Sequence, residues 1–279
     1  MARELVAAGA VAVVACLAFW PLYASFSLRA NSTQTAVSLQ DFKPSWNAAQ
    51  PFTNWILAAL PGEEQERLSP HLNSVTLQAG QKLYESGEPA RYAYFPESAL
   101  ISLLLVTEAG TSVEVRVIGR EGMLGVPIFL QSETMPYRAI VRTAGSARSM
   151  KSDLLKEEFS LCGPFHHLLL RYLHVLVVQL SQLSVCNRFH SVKQRLCRWL
   201  LAAQDLVKRT ELKFTQEFIS QMLGTDRTSV TAAAGVLQKA GLIRYSRGRI
   251  TILNREGLGA AACECHRIVK KEFDRLFRP

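Results

Sequence analysis

Histidine and cysteine are scarce, six of each in 279 residues, and neither falls into an arrangement that supports catalysis. The cysteines, at 16, 162, 186, 197, 263 and 265, lack the density and regular spacing of a disulfide framework and read as reduced thiols in a cytosolic protein. The histidines, at 71, 166, 167, 174, 190 and 266, are scattered. No Ser/His/Asp or Cys/His set is suggested, and no phosphate-binding glycine loop follows a strand, so an enzyme is the weakest of the function classes to consider. Cys263, Cys265 and His266 form a Cys-x-Cys-His cluster with no second half of a zinc site elsewhere in the sequence, so idle thiols on a C-terminal helix are the favoured reading and no metal ligand is assigned. Internal repeats and low-complexity tracts are also missing.

Charge is missing from residues 5–26, a run long enough as a helix to cross a hydrocarbon layer. It reads as a membrane anchor with the body held in the cytoplasm, or as an extension from a start codon assigned too early. A secretion signal with a lipoprotein-like ending at Cys16 is set aside, because the apolar run continues past that cysteine. A membrane is therefore a partner only if this segment is native.

Positive charge is abundant, and it is localised. Residues 187–279 hold 18 Lys+Arg against 8 Asp+Glu, whereas residues 1–186 hold 14 against 15, so the formal net charge of +9 sits in the last third. Such a field attracts a polyanion, although a solvated basic surface has the same composition, as does a membrane-tethered sensor or interaction module whose basic domain meets acidic lipid or another acidic partner. Within it, "TQEFISQMLGTDRTSVTAAAGVLQKAGLI" (215–243) places Phe218, Ile219, Met222 and Leu223 on one helical face and Val230, Ala233, Ala234 and Leu237 on another. Gly224 separates them, and Thr225 and Asp226 can cap the second helix. This is a helix-turn-helix pattern, with an ordinary helical hairpin as its rival. The following "LIRYSRGRITIL" alternates like a β-hairpin with Arg244, Arg247 and Arg249 near its tip, a basic wing.

Upstream, residues 73–149 carry short β-rich runs punctuated by Gly80, Gly87, Gly110 and Gly119, which predicts a small antiparallel barrel preceded by helices near 54–60 and 63–68. From Pro164 to about Asn187 the period becomes helical. Leu169, Leu173, Leu176, Leu180 and Leu183 step by four and three, as a coiled-coil seam does, which suits a second copy of the chain or burial within one chain. Ser191 and Gln194 have capping-box spacing ahead of the next helix. The expected division is an extension at 1–45, a barrel at 46–160, a long helix suited to pairing at 161–189 and a winged helix-turn-helix at 190–279, an α+β fold.

Barrel, long helix, helix-turn-helix and wing, in this order, resemble the Crp/Fnr family of bacterial transcription regulators. "GTDRTSVTAAAGVLQKAGLIRYSRGRITI" and "GQKLYESGEPARYAYFPESALISLL" carry the likeness most specifically. The resemblance implies a jelly-roll barrel of cyclic-nucleotide-binding type, a cytoplasmic homodimer, a palindromic double-stranded DNA operator, RNA polymerase as a further partner, and a small-molecule effector that the sequence does not name. It places the effector pocket at Gly122, Met123, Leu124, Gly125, Tyr137 and Arg138. Cyclic-nucleotide-binding members offer a Glu to the ribose and an Arg to the cyclic phosphate; Met123 and Tyr137 occupy those positions here. Arg138 lies one residue along, on the opposite face of a strand, so cyclic AMP is not expected in the usual mode. Nor is there the N-terminal cysteine group of iron-sulfur relatives. On the recognition helix Arg227 takes the place of the first base-reading Arg, with Thr228 and Thr231 on the same face. Ser229, Arg247 and Arg249 suit phosphate contacts.

Overall fold

The computed structural model describes residues 52–108, 112–207, 210–246 and 248–277. The expectations for the segment 1–45, for the turn at Gly110 and for Arg247 lie outside the described residues.

The chain enters through two short helices, α1 (Trp55–Ala58) and α2 (Gly62–Leu68), separated at Pro61, whose ring fits a helix start but not an interior. Seven strands follow: β1 (Asn73–Leu77), β2 (Lys82–Tyr84), β3 (Tyr92–Pro96), β4 (Leu100–Val106), β5 (Ser112–Ile118), β6 (Arg138–Thr143) and β7 (Gly145–Lys151), with a helical turn α3 (Val126–Phe129) before β6. They pair antiparallel in two sheets, ordered β1-β7-β3 and β2-β6-β4-β5. The expected barrel is thus a roll of two sheets. Positive φ at Gly80 (82°) and Gly87 (85°) supplies the turns on either side of β2, a backbone region that a Cβ disfavours.

Helix α4 (Ser152–Ser160) leads to α5 (Pro164–Phe189), which Pro164 opens at a position where its missing N–H costs nothing. The first half of α5 is part of the roll: Phe165, Leu168, Leu169 and Tyr172 share one core with Phe95, Ile101, Ile118 and Leu124. Leu169, expected in an intermolecular seam, is 0% exposed and faces its own roll. The apolar side chains that α5 leaves in solvent are Leu170, Val177 (55% exposed), Leu180 (56%), Val185 and Phe189 (76%).

A second core gathers Leu196, Leu200, Ile219, Leu223, Val230, Leu237, Ile250 and Leu258. It joins α6 (Val192–Val207), α7 (Gln216–Leu223), α8 (Arg227–Lys239) and α9 (Arg255–Ala261) to a sheet ordered β8-β10-β9, built from β8 (Glu211–Lys213), β9 (Ile243–Ser246) and β10 (Arg249–Ile252). The capping box ahead of α6 forms: the Ser191 amide donates to Gln194 Oε1 at 3.0 Å and the Gln194 amide to Ser191 Oγ at 3.3 Å. The last helix, α10 (Cys265–Phe277), packs along α5, and Leu276 and Phe277 enter the core of the roll, where Phe277 meets Trp55 edge-on at 5.6 Å. Sequence placed this helix with the DNA-binding part. Its apolar stripe instead closes the chain back onto the first domain.

Candidate DNA-binding surface and sensor cavity

Local capping fixes the geometry of the helix-turn-helix. Thr215 Oγ1 accepts from the Phe218 amide at the start of α7, and Gly224 ends that helix in the left-handed region (φ 56°, ψ 47°). Asp226 then caps α8, accepting from the Ser229 amide at 2.8 Å and the Ser229 hydroxyl at 2.6 Å, and these donors hold its carboxyl below the ordinary Asp range. With Val230, Ala233, Ala234 and Leu237 buried, Arg227, Thr228, Thr231 and Ala232 are left facing solvent. Arg227 makes a long contact to Gln216 Oε1, at 3.4 Å. Ser229 is committed to the cap, and the Thr231 hydroxyl donates back to the Arg227 carbonyl at 2.9 Å. In the wing, Gly248 (φ 76°) turns β9 into β10; Arg244 is exposed, and Arg249 lies 3.6 Å from Glu211 in an exposed pair.

The roll presents the second candidate site. Its 119–125 loop is tied at its middle from two sides. Asn54, fully buried, donates through Nδ2 to the carbonyls of Pro96 and Gly122, both at 2.9 Å, while its Oδ1 caps α1. Tyr172 on α5 accepts from the Met123 amide at 3.0 Å. A Cβ on Gly122 would lie 2.3 Å from the Tyr172 hydroxyl, and Gly125, at φ 123°, abuts Ala93, so both glycines serve close packing. Leu124 is in the core. Of the six expected pocket residues, Met123 and Tyr137 line a cavity of about 430 Å³ between the β4–β5 face, α5 and the helix-turn-helix. Arg138 is turned away and donates to Glu85 at 2.6 Å.

Arg116 and Glu121, which sequence reasoning did not single out, also line this cavity. Their charged groups are 4.0 Å apart, the Arg116 guanidinium lies over the Tyr172 ring at 5.3 Å, and its Nε and Nη2 have no acceptor among the described residues. Burial raises the Glu121 carboxyl against the pull of Arg116, and pushes the Tyr137 hydroxyl up to about 12. The sequence signal was available: Glu114 and Arg116 alternate with valines in "SVEVRVI", two charges within a largely apolar run. With buried Met123 at the ribose-binding position and Arg138 tied to Glu85, these residues do not fit a cyclic nucleotide held in the family's usual manner.

The C-terminal cysteines differ from expectation in their partners. His266 Nε2 lies 3.0 Å from Asp205 Oδ2, away from Cys263 and Cys265. Those two thiols meet Cys186 and His190 at the end of α5 instead.

Residues 74–160 match the profile of the cyclic nucleotide-binding domain and residues 194–261 that of the Crp-like helix-turn-helix domain. The global nitrogen regulator of Synechocystis sp. is 22% identical over 189 residues, covering 64% of this chain and 84% of that protein; its counterpart from Nostoc sp. is 22% identical over 188 residues, covering 63% and 83%. Among solved structures, FixK2 from Bradyrhizobium japonicum aligns with a TM-score of 0.60 at 14% identity, over 69% of this chain and 98% of its own. A CRP-family transcriptional regulator from Thermus thermophilus aligns with a TM-score of 0.57 at 19% identity, over 67% and 96%. Those two folds share the order of roll, long helix and winged helix-turn-helix seen here. The chain belongs to the Crp/Fnr family of DNA-binding transcription regulators.

Proposed function

We propose that the chain acts in the cytoplasm as a homodimer that reads an inverted-repeat operator and responds to a small molecule taken up by its roll. The observation that carries this reading is the presence of two exposed surfaces in one compact unit: a solvent-facing α8 led by Arg227, and an apolar ridge on α5. Arg227 can give a bidentate pair to guanine, Thr228 and Thr231 can touch a thymine methyl, and Arg244, Arg247 and Arg249 supply sequence-independent phosphate contacts. Ser229 is better assigned to capping than to phosphate, since both its donors are engaged. The dimer seam uses Leu180 and Leu183 with Leu170 and Val177 beside them, while Leu173 and Leu176 pack against the core of the roll. RNA polymerase is a further partner to be tested.

The sensory role rests on the cavity. It is lined from the roll by Arg116, Tyr137 and Arg142 and from the helix-turn-helix by Phe218 and Met222, and the Arg142 guanidinium lies over the Phe218 ring at 4.2 Å. A ligand that fills it touches both parts at once and shifts their packing only as far as its affinities for the two arrangements differ. Selection of bound DNA from a random pool, with and without cell metabolites, joined to sedimentation of the selected complex, tests the whole reading. Two chains on half-sites roughly 34–36 Å apart are expected. A protein that stays monomeric and selects no inverted repeat would refute it.

A further inference from the structure

Three cysteines and one histidine converge where α5 ends and α10 begins. Cys186 and His190 come from the last turn of α5 and the residue after it, Cys263 and Cys265 from the α9–α10 junction. One ligand atom from each lies within 4.8 Å of every other. Cys186 Sγ and Cys263 Sγ are 3.5 Å apart, and Cys265 Sγ is 3.6 Å from His190 Nδ1. Around a single tetrahedral ion with metal–sulfur bonds of about 2.3 Å and metal–nitrogen bonds of about 2.0 Å, sulfur–sulfur edges are about 3.8 Å and sulfur–nitrogen edges about 3.5 Å. The observed spacings therefore suit one ion. A polynuclear iron-sulfur cluster interposes sulfides and holds its thiolates further apart.

Two features outside the four ligands complete the pattern. His190 Nε2 lies 3.3 Å from Glu264 Oε1, so the ring can present Nδ1 to a metal while Nε2–H donates to a carboxylate, the outer partner that ligating histidines ordinarily have. Arg195, buried on α6, has no acceptor for its Nε among the described residues and lies within electrostatic reach of Cys186 and Cys263. Three thiolates, one neutral imidazole and a divalent cation sum to −1, and this guanidinium offsets that charge. The three thiols form their own buried cluster, separate from both apolar cores.

We propose that Cys186, His190, Cys263 and Cys265 bind one divalent zinc-class ion in a closed, structural site of three thiolates and one imidazole. Binding displaces the three thiol protons to solvent and changes no oxidation state. The ion would fasten α10 to α5 at the junction of α5 with α6, between the roll and the DNA-binding part, and so restrict how α6 leaves α5. This does not depend on the dimer or on the identity of an effector.

The test is metal analysis of the full chain, expressed with zinc and purified in reductant without chelator. One zinc per chain is expected, and a thiol-binding mercurial should release it as three thiols are titrated. Cobalt substitution should give the intense visible bands of tetrahedral thiolate coordination. Cys186→Ser and Cys265→Ser should lose the metal at least tenfold, while Cys162→Ser, at an exposed cysteine elsewhere, keeps full stoichiometry and His190→Cys retains zinc in an all-thiolate site. Should the serine variants fail to fold, mercurial release from the unaltered chain still decides the matter. Chain that carries no metal, iron accompanied by acid-labile sulfide, a Cys186–Cys263 disulfide in protein purified without oxidant, or unchanged zinc in Cys186→Ser would each overturn the proposal.

Discussion

Removing the Tyr172 hydroxyl should expose how α5 is joined to the roll. Tyr172→Phe deletes one atom, which accepts the Met123 amide at 3.0 Å with both residues buried. The orphaned amide then costs about 1–3 kcal/mol, or roughly 2–4 °C of melting temperature per kcal/mol for a chain of this size. Gly122→Ala strains the same place from the other side. Its Cβ would sit 2.3 Å from the hydroxyl, with Arg116 Nη2 at 3.1 Å and Tyr172 Cζ at 3.2 Å, a degree of overpacking worth about 1–3 kcal/mol. Once the hydroxyl is gone the closest remaining contact is 3.1 Å, which needs an adjustment of a few tenths of an ångström. The double variant should therefore be about 1–2 kcal/mol more stable than the sum of the single effects implies. Urea titrations of the four proteins, followed by circular dichroism, measure that coupling. Additivity within about 0.5 kcal/mol, or a Gly122→Ala protein as stable as the parent, would refute the packing argument.

Two further expectations concern binding and pH. Arg227→Ala should lower affinity for the selected operator by about 1–3 kcal/mol and relax preference at one base pair, whereas Arg249→Ala should weaken all sequences alike and reduce the salt slope by about one; competition gel shifts across a salt series separate the two. Asp205 joins α6 to α9 and α10, accepting from Arg255 at 2.7 Å and lying 3.0 Å from His266. Burial pulls its carboxyl upward, but the His266 hydrogen bond and the Arg255 charge outweigh that and hold it below the ordinary range. A depressed carboxyl stabilises the fold above its unfolded value of about 3.9 and loses that contribution as pH falls through the folded value. Asp205→Asn should thus flatten the acid limb below about pH 4 in a circular dichroism titration; an unchanged limb would show that the pair contributes nothing.

Local signals carried most of the fold. Period-2 runs between glycines located the strands, and caps that act within three residues, at Thr215, Asp226 and Ser191, set the helices of the DNA-binding part where spacing placed them. Strand β8 was missed because Glu211–Lys213 is three residues long and belongs to the sheet only through its pairing with β10. The seam was misread at one end for a related reason. Leu169 and Leu180 obey the same heptad, yet one is fully buried in the roll and the other is 56% exposed. Periodicity states that a face is apolar and is silent on which neighbour covers it.

The same limit governs the candidate sites. Cys263-x-Cys265-His266 looks like half a metal motif with its ligands in order along the chain, and on that basis His266 belonged to it. The folded chain gives His266 to Asp205 and draws the other half from 77 and 75 positions away, because the amphipathic α10 finds its partner in α5. Arg116 and Arg142 behave alike: sequence marks each only as a charge within a strand, and its surroundings are set when α5 or α7 supplies an aromatic ring above it, Tyr172 in one case and Phe218 in the other. The proposed DNA-reading surface is the contrary case. Arg227 and Thr228 are exposed because the buried stripe of the same helix turns them outward, so a single helix contains both the cause and the consequence. Sites made by one element are readable from its period, and sites made by the return of a distant helix become visible only when that helix is in place.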